Sequence, residues 1–283
     1  MALSLSSIST EAQIRAPRIL LLGVEKIGKT SFACGCGFDA SGRRTSEGAN
    51  KPIVLPMRGE EGSDDMHVAS FPTLTSYDQV TEALGALYTE DHEYRTVVLD
   101  SASALEPLVW DYVCEKANVS GIEQVGGGYG KGYTEAASAF RELLAGLDAL
   151  RAAKNMASIV IGHVKVKRFD DPTGDSYDQF QFDVHDKVSN MLTRWADVIL
   201  FCNTKVSVKK EDKGFGKKKQ QGVDATGGRR FLFTQKRPAH PGGGRGVYGQ
   251  LPYELPLDYA AFEAAIEAAI STTPTPNTTN EEQ

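Results

Sequence analysis

The sequence predicts an α/β fold, and three stretches carry that prediction. Gly23 to Thr30 reads G-V-E-K-I-G-K-T, after the apolar run Ile19-Leu20-Leu21-Leu22 and before the small-residue stretch Ser31-Phe32-Ala33-Cys34: strand, phosphate loop, helix. Thr96-Val97-Val98-Leu99-Asp100-Ser101 reads as a buried strand ending in an aspartate. Ala157-Ser158-Ile159-Val160-Ile161-Gly162-His163 is a further buried strand with a polar residue at the same edge. In α/β sheets that edge, at the carboxyl ends of the strands, is where ligands bind.

With 283 residues and 41% hydrophobic content, the chain can bury one full core, and nothing in it marks two independent folds. No apolar run approaches the length of a bilayer span, and Met1 to Pro17 lacks the basic-then-apolar order of a signal peptide, so a cytoplasmic protein away from membranes is expected. Four cysteines, Cys34, Cys36, Cys114 and Cys202, are too few and scattered for a disulfide framework, and the five histidines supply no matching pair for zinc. The net charge of -6 removes bulk attraction to nucleic acid, so any such binding needs a local basic surface.

In chain order, residues 1–16 are polar and Ser-rich and read as a flexible arm, either loose or laid on a neighbouring subunit. The main domain is expected over 17–270. Its phosphate loop offers Gly23, Val24, Glu25, Lys26, Ile27, Gly28, Lys29, Thr30 and Ser31 to a polyphosphate: the glycines let backbone N-H groups turn inward, and the next helix presents its positive end. Lys29 neutralises the β- and γ-phosphates, and the Thr30 hydroxyl with Asp100 holds Mg²⁺, so ATP and Mg²⁺ are the expected ligands. Pro52 to Met57 is a short strand that runs into Arg58-Gly59-Glu60-Glu61-Gly62, placing carboxylates at the ligand edge. Val68 to Phe71 adds a short strand, and Tyr77, Val80, Leu84 and Leu87 mark a helix over 76–88.

A helix is predicted from Ala104 to about Ala117 and another from Thr134 to about Arg151. Between them, Gly126 to Tyr133 holds five glycines with Tyr129, Lys131 and Tyr133 and cannot be a regular element. It is either a flexible connector or a surface where aromatics and a cation meet single-stranded nucleic acid. His163 either senses the γ-phosphate or caps its strand. Lys165, Lys167, Arg168 and Phe169 follow, then an irregular stretch over 170–175, a helix over 186–195 and a strand over 197–202. Over 205–237 the charge balance inverts, and alternation in Lys205 to Lys210 and Arg229 to Gln235 predicts a β-hairpin with a long cationic tip, either solvated or bound to phosphate backbone. A last helix is expected over 259–270, and 271–283 reads as a disordered tail.

Together these stations resemble the RecA-like ATPases encoded by bacteriophages, a group that includes single-strand-annealing recombinases. The likeness rests on Gly23 to Thr30, Glu60-Glu61-Gly62, Val97 to Ser101, Gly128 to Tyr133, Ile161-Gly162-His163, Arg168 to Pro172, Trp195-Ala196-Asp197 and Leu251 to Leu257. The resemblance implies a RecA-like P-loop core, a mostly parallel twisted sheet flanked by helices with ATP at its carboxyl edge. It implies a general base after the second strand, matched best by Glu60 with Glu61 as its rival, and a nucleotide sensor at His163 where RecA has a glutamine. It implies DNA-facing loops at Tyr129, Lys131 and Tyr133 and at Lys165, Lys167, Arg168 and Phe169, and cations that reach ATP across a subunit boundary at Lys236 and Arg237. Met57-Arg58 and the glycines before Arg245 depart from the pattern.

The activity so implied is a Mg²⁺-dependent, DNA-dependent ATPase in the cytoplasm of a bacterial host, acting in phage recombination, annealing or replication. Its expected partners are single-stranded DNA, further copies of itself in a ring or filament, and a phage or host single-strand-binding protein. Two other readings stand beside it: a nucleotide-gated DNA-binding module with incidental hydrolysis, and a small-molecule kinase with the basic hairpin as its lid. A GTPase is disfavoured, because Ser-Ala-Ser follows Asp100 and Asn203-Thr204-Lys205 is no guanine-reading motif.

Overall fold

The computed structural model describes residues 4, 5, 8, 15–212, 218–224 and 226–272. The expected arm lies almost wholly outside them, and so does the expected tail beyond 272.

The strand before the phosphate loop, β1 (Arg18–Gly23), lies in the middle of the sheet, paired in parallel with β5 (Ala157–Phe169) on one side and β7 (Val198–Thr204) on the other. Period-two alternation sorts its side chains: Leu20 and Leu22 enter one core, Ile19 and Leu21 the other. The first core is closed by α2 (Tyr77–Thr89), α3 (Ala102–Ala117), α4 (Lys131–Lys154) and α5 (Asp186–Trp195) through Leu84, Leu105, Phe140 and Leu192. The second is closed by α1 (Lys29–Ala33) and α6 (Tyr259–Thr272) through Phe32 and Phe262. Burial on both faces explains why the central strands read as continuous apolar runs.

The remaining strands are β2 (Pro52–Pro56), β3 (Ala69–Ser70), β4 (Thr96–Asp100), β6 (Tyr177–Phe182), β8 (Val206–Asp212), β9 (Lys218–Asp224), β10 (Arg230–Phe233), β11 (Gly243–Gly244) and β12 (Glu254–Pro256). The main sheet runs β12-β10-β7-β1-β5-β4-β2-β3, with β11 added to β7 and β6 to β5. From β7 to β3 every pairing is parallel, and β10, β11, β12 and β6 join antiparallel. This is the mostly parallel α/β sheet flanked by helices that was expected, with a basic hairpin, β8 with β9, set between β7 and β10. Among the described residues no helix is long and apolar enough to cross a membrane.

Local chemistry sets the helix ends. Ser76 accepts from the Gln79 N-H at 3.3 Å and Ser101 from the Ala104 N-H at 3.2 Å, capping α2 and α3. Asn118 and Asn155 close α3 and α4 with φ of 50° and 52°, a left-handed turn that asparagine tolerates.

Four local expectations are corrected. The helix after the phosphate loop spans only Lys29–Ala33, because the chain turns away at Gly35 with φ of 72°, so its dipole is that of little more than one turn. Lys131, Gly132 and Tyr133 do not belong to an irregular loop but form the first turn of α4, since Tyr133 has apolar neighbours to pack on. The strand ending at His163 continues to Phe169, because β6 pairs with its second half from Val164 to Phe169. The partner of Val206–Asp212 is Lys218–Asp224 and not the strand near Arg229, because Leu232 and Phe233 are apolar enough to be buried beside β7.

Candidate functional site

The phosphate loop rises from the centre of the carboxyl edge. Gly23 stands opposite His163 of β5 and Cys202 of β7, and a Cβ on it would lie 2.6 Å from the Cys202 carbonyl oxygen, so the position admits only glycine. Val24 is half-buried, Glu25 and Lys26 are exposed at the crest, and Ile27 returns to the second core. Gly28 takes φ of 103° and delivers Lys29 and Thr30 to the interior side, with half-buried Ser31 next.

Lys29 is buried, and its Nζ donates to the carbonyls of Gly23 at 3.1 Å and Val24 at 2.9 Å. Burial lowers its pKa from the usual lysine range, against the pull of the nearby carboxylates. Its Nζ also lies 3.4 Å from His163 Nδ1, and His163 Nε2 lies 2.9 Å from Glu60 Oε1. Against a carboxylate Nε2 is the donor, while Nδ1 faces the Lys29 ammonium. Glu60 Oε1 accepts a second hydrogen bond from Ser101 Oγ at 2.6 Å. Burial pushes the Glu60 carboxyl up, but the hydrogen bonds from His163 and Ser101, with the charges of His163 and Lys29, outweigh it and hold it below the usual range. Glu61 is exposed and outside this network, which separates the two rivals geometrically.

Thr30 Oγ1 donates to Asp100 Oδ2 at 2.7 Å. Asp100 is 2% exposed, and burial raises its pKa to about 6, with the Thr30 hydrogen bond pulling down and the Glu60 charge pushing further up. A Cβ on Gly62 would lie 2.6 Å from Thr30 Oγ1, so the Glu60-Glu61-Gly62 turn closes over that hydroxyl. A hydroxyl and a carboxylate in contact form a hard oxygen donor pair, which fits Mg²⁺. Such an ion would be held by Thr30 and Asp100 and would neutralise charge on the β- and γ-phosphate oxygens.

The expected DNA residues fall into two groups that meet. Lys165, Lys167 and Phe169 alternate along one side of the β5–β6 hairpin, with Arg168 on the other, and Lys165 pairs with Asp183 at 2.9 Å. Tyr129 is fully exposed, while Lys131 Nζ is folded onto the Gly126 carbonyl at 2.9 Å. Tyr133 is not free for base stacking: its ring lies on His185 at 4.3 Å and its edge against Trp110 at 5.6 Å. Asp183 and His185 stand two residues apart, so the hairpin and the start of α4 adjoin one connection. Lys236 and Arg237 are exposed at the far end of β10, which runs away from the loop edge because it is antiparallel to β7. Arg237 stacks on Tyr253 at 4.3 Å, and Lys236 shares a groove wall with Lys167.

Three contributors escaped the sequence reading. Ser101 holds Glu60 and Ser103 Oγ accepts from the His163 N-H at 3.1 Å, both just beyond Asp100, where their closeness to the acid was the available signal. Arg230, at the start of β10, donates from Nη1 to the Ile27 carbonyl of the phosphate loop at 3.2 Å. At a separation of 203 positions, no local pattern announced that contact.

A family model described as an AAA domain matches residues 15–246, which takes in the phosphate loop, all four residues of the Lys29–His163–Glu60–Ser101 chain and the start of β10. No curated protein matches the sequence.

Proposed function

From the premise that this chain belongs to the AAA domain family, a family of ATPase-type domains, we propose that it is a Mg²⁺-dependent ATPase that binds single-stranded DNA in phage recombination, annealing or replication. The observation that carries the catalytic part is the unbroken chain of contacts from Lys29 through His163 to Glu60 and Ser101, beside the Thr30–Asp100 pair.

The reaction is ATP + H₂O to ADP and phosphate. Glu60, ionised at neutral pH, accepts a proton from the water as its oxygen adds to the γ-phosphorus, and the bond to the β–γ bridging oxygen breaks towards ADP. Lys29 leaves its two loop carbonyls for the phosphates, so its tether to His163 changes as the loop fills. His163 thereby links the loop to β5 and to the hairpin that β5 continues into. The metal, when bound, contributes charge neutralisation at Thr30 and Asp100.

The DNA part is supported by the cations of that hairpin and by exposed Tyr129 near the start of α4, a local basic and aromatic surface on a chain of net charge -6. The resemblance of the sequence stations is what supports phage origin and assembly into a ring or filament. Steady-state phosphate release, measured with and without single-stranded DNA over a range of protein concentrations, tests the reading. Acceleration by DNA and by concentration is expected; identical rates throughout would remove both from the mechanism.

A further inference from the structure

Among the described residues, two side chains bond to the carbonyls of the phosphate loop. Lys29 holds those of Gly23 and Val24, and it leaves both when phosphates arrive. Arg230 holds that of Ile27 through Nη1 at 3.2 Å, a contact that serves no step of the hydrolysis. Lys26 and Gly28 take φ of 57° and 103°, in the left-handed region, and backbone of that kind persists only where its surroundings fix it.

Arg230 is itself held from three directions. Its guanidinium carbon lies 4.7 Å over the Phe38 ring, its carbonyl accepts from the Leu257 N-H at 3.1 Å, and its backbone pairs with Thr204 of β7. Phe38 is tied in turn, because the Asp258 carboxylate at the head of α6 accepts from the Phe38 N-H at 3.0 Å and from the Ala261 N-H at 2.9 Å. A guanidinium suits this place, since its face can lie on a ring while its edge donates to a carbonyl.

Ile27 and Gly28 are joined by a trans peptide, so its C=O and N-H point opposite ways. With the carbonyl on Arg230, the Gly28 N-H is turned away from β10. Glu60 and Asp100 follow β2 and β4, which lie on the other side of β1 from β10, so that N-H is turned towards the acids. Among the described residues it has no acceptor. A flipped peptide would present a carbonyl oxygen to a phosphate instead, and repel it.

We propose that Arg230 is a positioning residue for the phosphate loop: by holding the Ile27 carbonyl outward, it keeps the Gly28 N-H turned inward to meet a phosphate before nucleotide arrives. The proposal rests on the ATPase reading. When Lys29 moves to the phosphates, the Arg230 bond remains on the far face of the loop and keeps its shape.

Calorimetric titration of the full chain with Mg-ATP and with Mg-tripolyphosphate, at low and at high salt, tests this. Arg230→Met keeps the length of the side chain and its packing on Phe38 but removes the donor and the charge. It should weaken both ligands about tenfold or more, in parallel and by the same factor at either salt concentration. In steady state the KM for ATP should rise by that factor with kcat nearly unchanged, because an N-H set before the chemistry is felt equally by ground and transition states. Unchanged affinities in Arg230→Met, or a loss confined to ATP, would overturn the proposal while leaving the phosphate loop its ligand. A loss that fades at high salt would overturn it too, since Arg230 would then act as a distant charge. So would a fall in kcat with KM unchanged. A parent that binds neither ligand would bring down the ATPase reading itself, and the proposal with it. If Arg230→Met fails to fold, Phe38→Leu decides alone: without the ring that seats the guanidinium, both ligands should weaken by a smaller common factor, and full affinity would overturn the proposal.

Discussion

Asp100 is the residue whose burial is most in tension with its role. A carboxyl that titrates near 6 in the fold and near 3.8 outside it holds its proton in the folded state across that interval. Its contribution to stability is thus fully present below about 3.8 and is lost as pH rises through about 6, so that at neutral pH the protein is roughly 3 kcal/mol less stable on this account than in acid, at about 1.4 kcal/mol per pKa unit. Asp100→Asn should therefore melt a few degrees higher than the parent without nucleotide, yet gain little from added Mg-ATP; a lower melting temperature would contradict the buried-charge account. In the parent, Mg-ATP affinity should climb between pH 5 and 7, roughly the window about that pKa, as the carboxylate becomes available to the cation; a flat profile would show that Asp100 is already ionised. For Glu60→Gln, turnover should drop by about 10²- to 10⁴-fold, since an amide cannot take the proton from water, with the ATP dissociation constant nearly unchanged. Equal loss of binding and turnover would make Glu60 a scaffold for His163.

The β5–β6 hairpin is the element that joins the site to the basic surface, and one glycine governs how it sits. A Cβ on Gly162 would come within 2.8 Å of the Leu22 side chain and into the Phe182 ring, which docks the hairpin on the first core. Gly162→Ala should cost about 1–3 kcal/mol by overpacking, read as a lower melting temperature. An unchanged value would mean that the ring has room to yield. On the same element, Lys165→Glu with Lys167→Glu should weaken single-stranded DNA binding uniformly over sequence and flatten its dependence on salt, because fewer counterions are released. DNA affinity untouched by this pair would move the nucleic-acid surface elsewhere.

At the scale of the whole molecule, Lys236 and Arg237 lie at the end of β10 remote from the loop, so any help they give to ATP must reach a neighbouring subunit. Mixing Lys236→Ala/Arg237→Ala protein with Glu60→Gln protein should then restore part of the turnover that each lacks alone, since a boundary between them can pair an intact Glu60 with intact cations. Mixed assemblies that form and stay inactive would leave those cations no role in hydrolysis.

The α/β class, the phosphate loop, the strand that ends in Asp100 and the glutamate after β2 were legible before any folding, because each is written in consecutive residues whose spacing fixes backbone shape and side-chain face. The sequence also placed a basic hairpin between β7 and β10, though with the wrong second strand, since alternation tells which residues share a face and not which strand they meet. Only the fold in three dimensions set Glu60 against His163 while leaving Glu61 exposed, packed Tyr133 on His185 and brought Arg230 across to Ile27. Those outcomes depend on contacts between segments far apart in the chain, and such contacts are decided by which buried surfaces fit together once the sheet has formed.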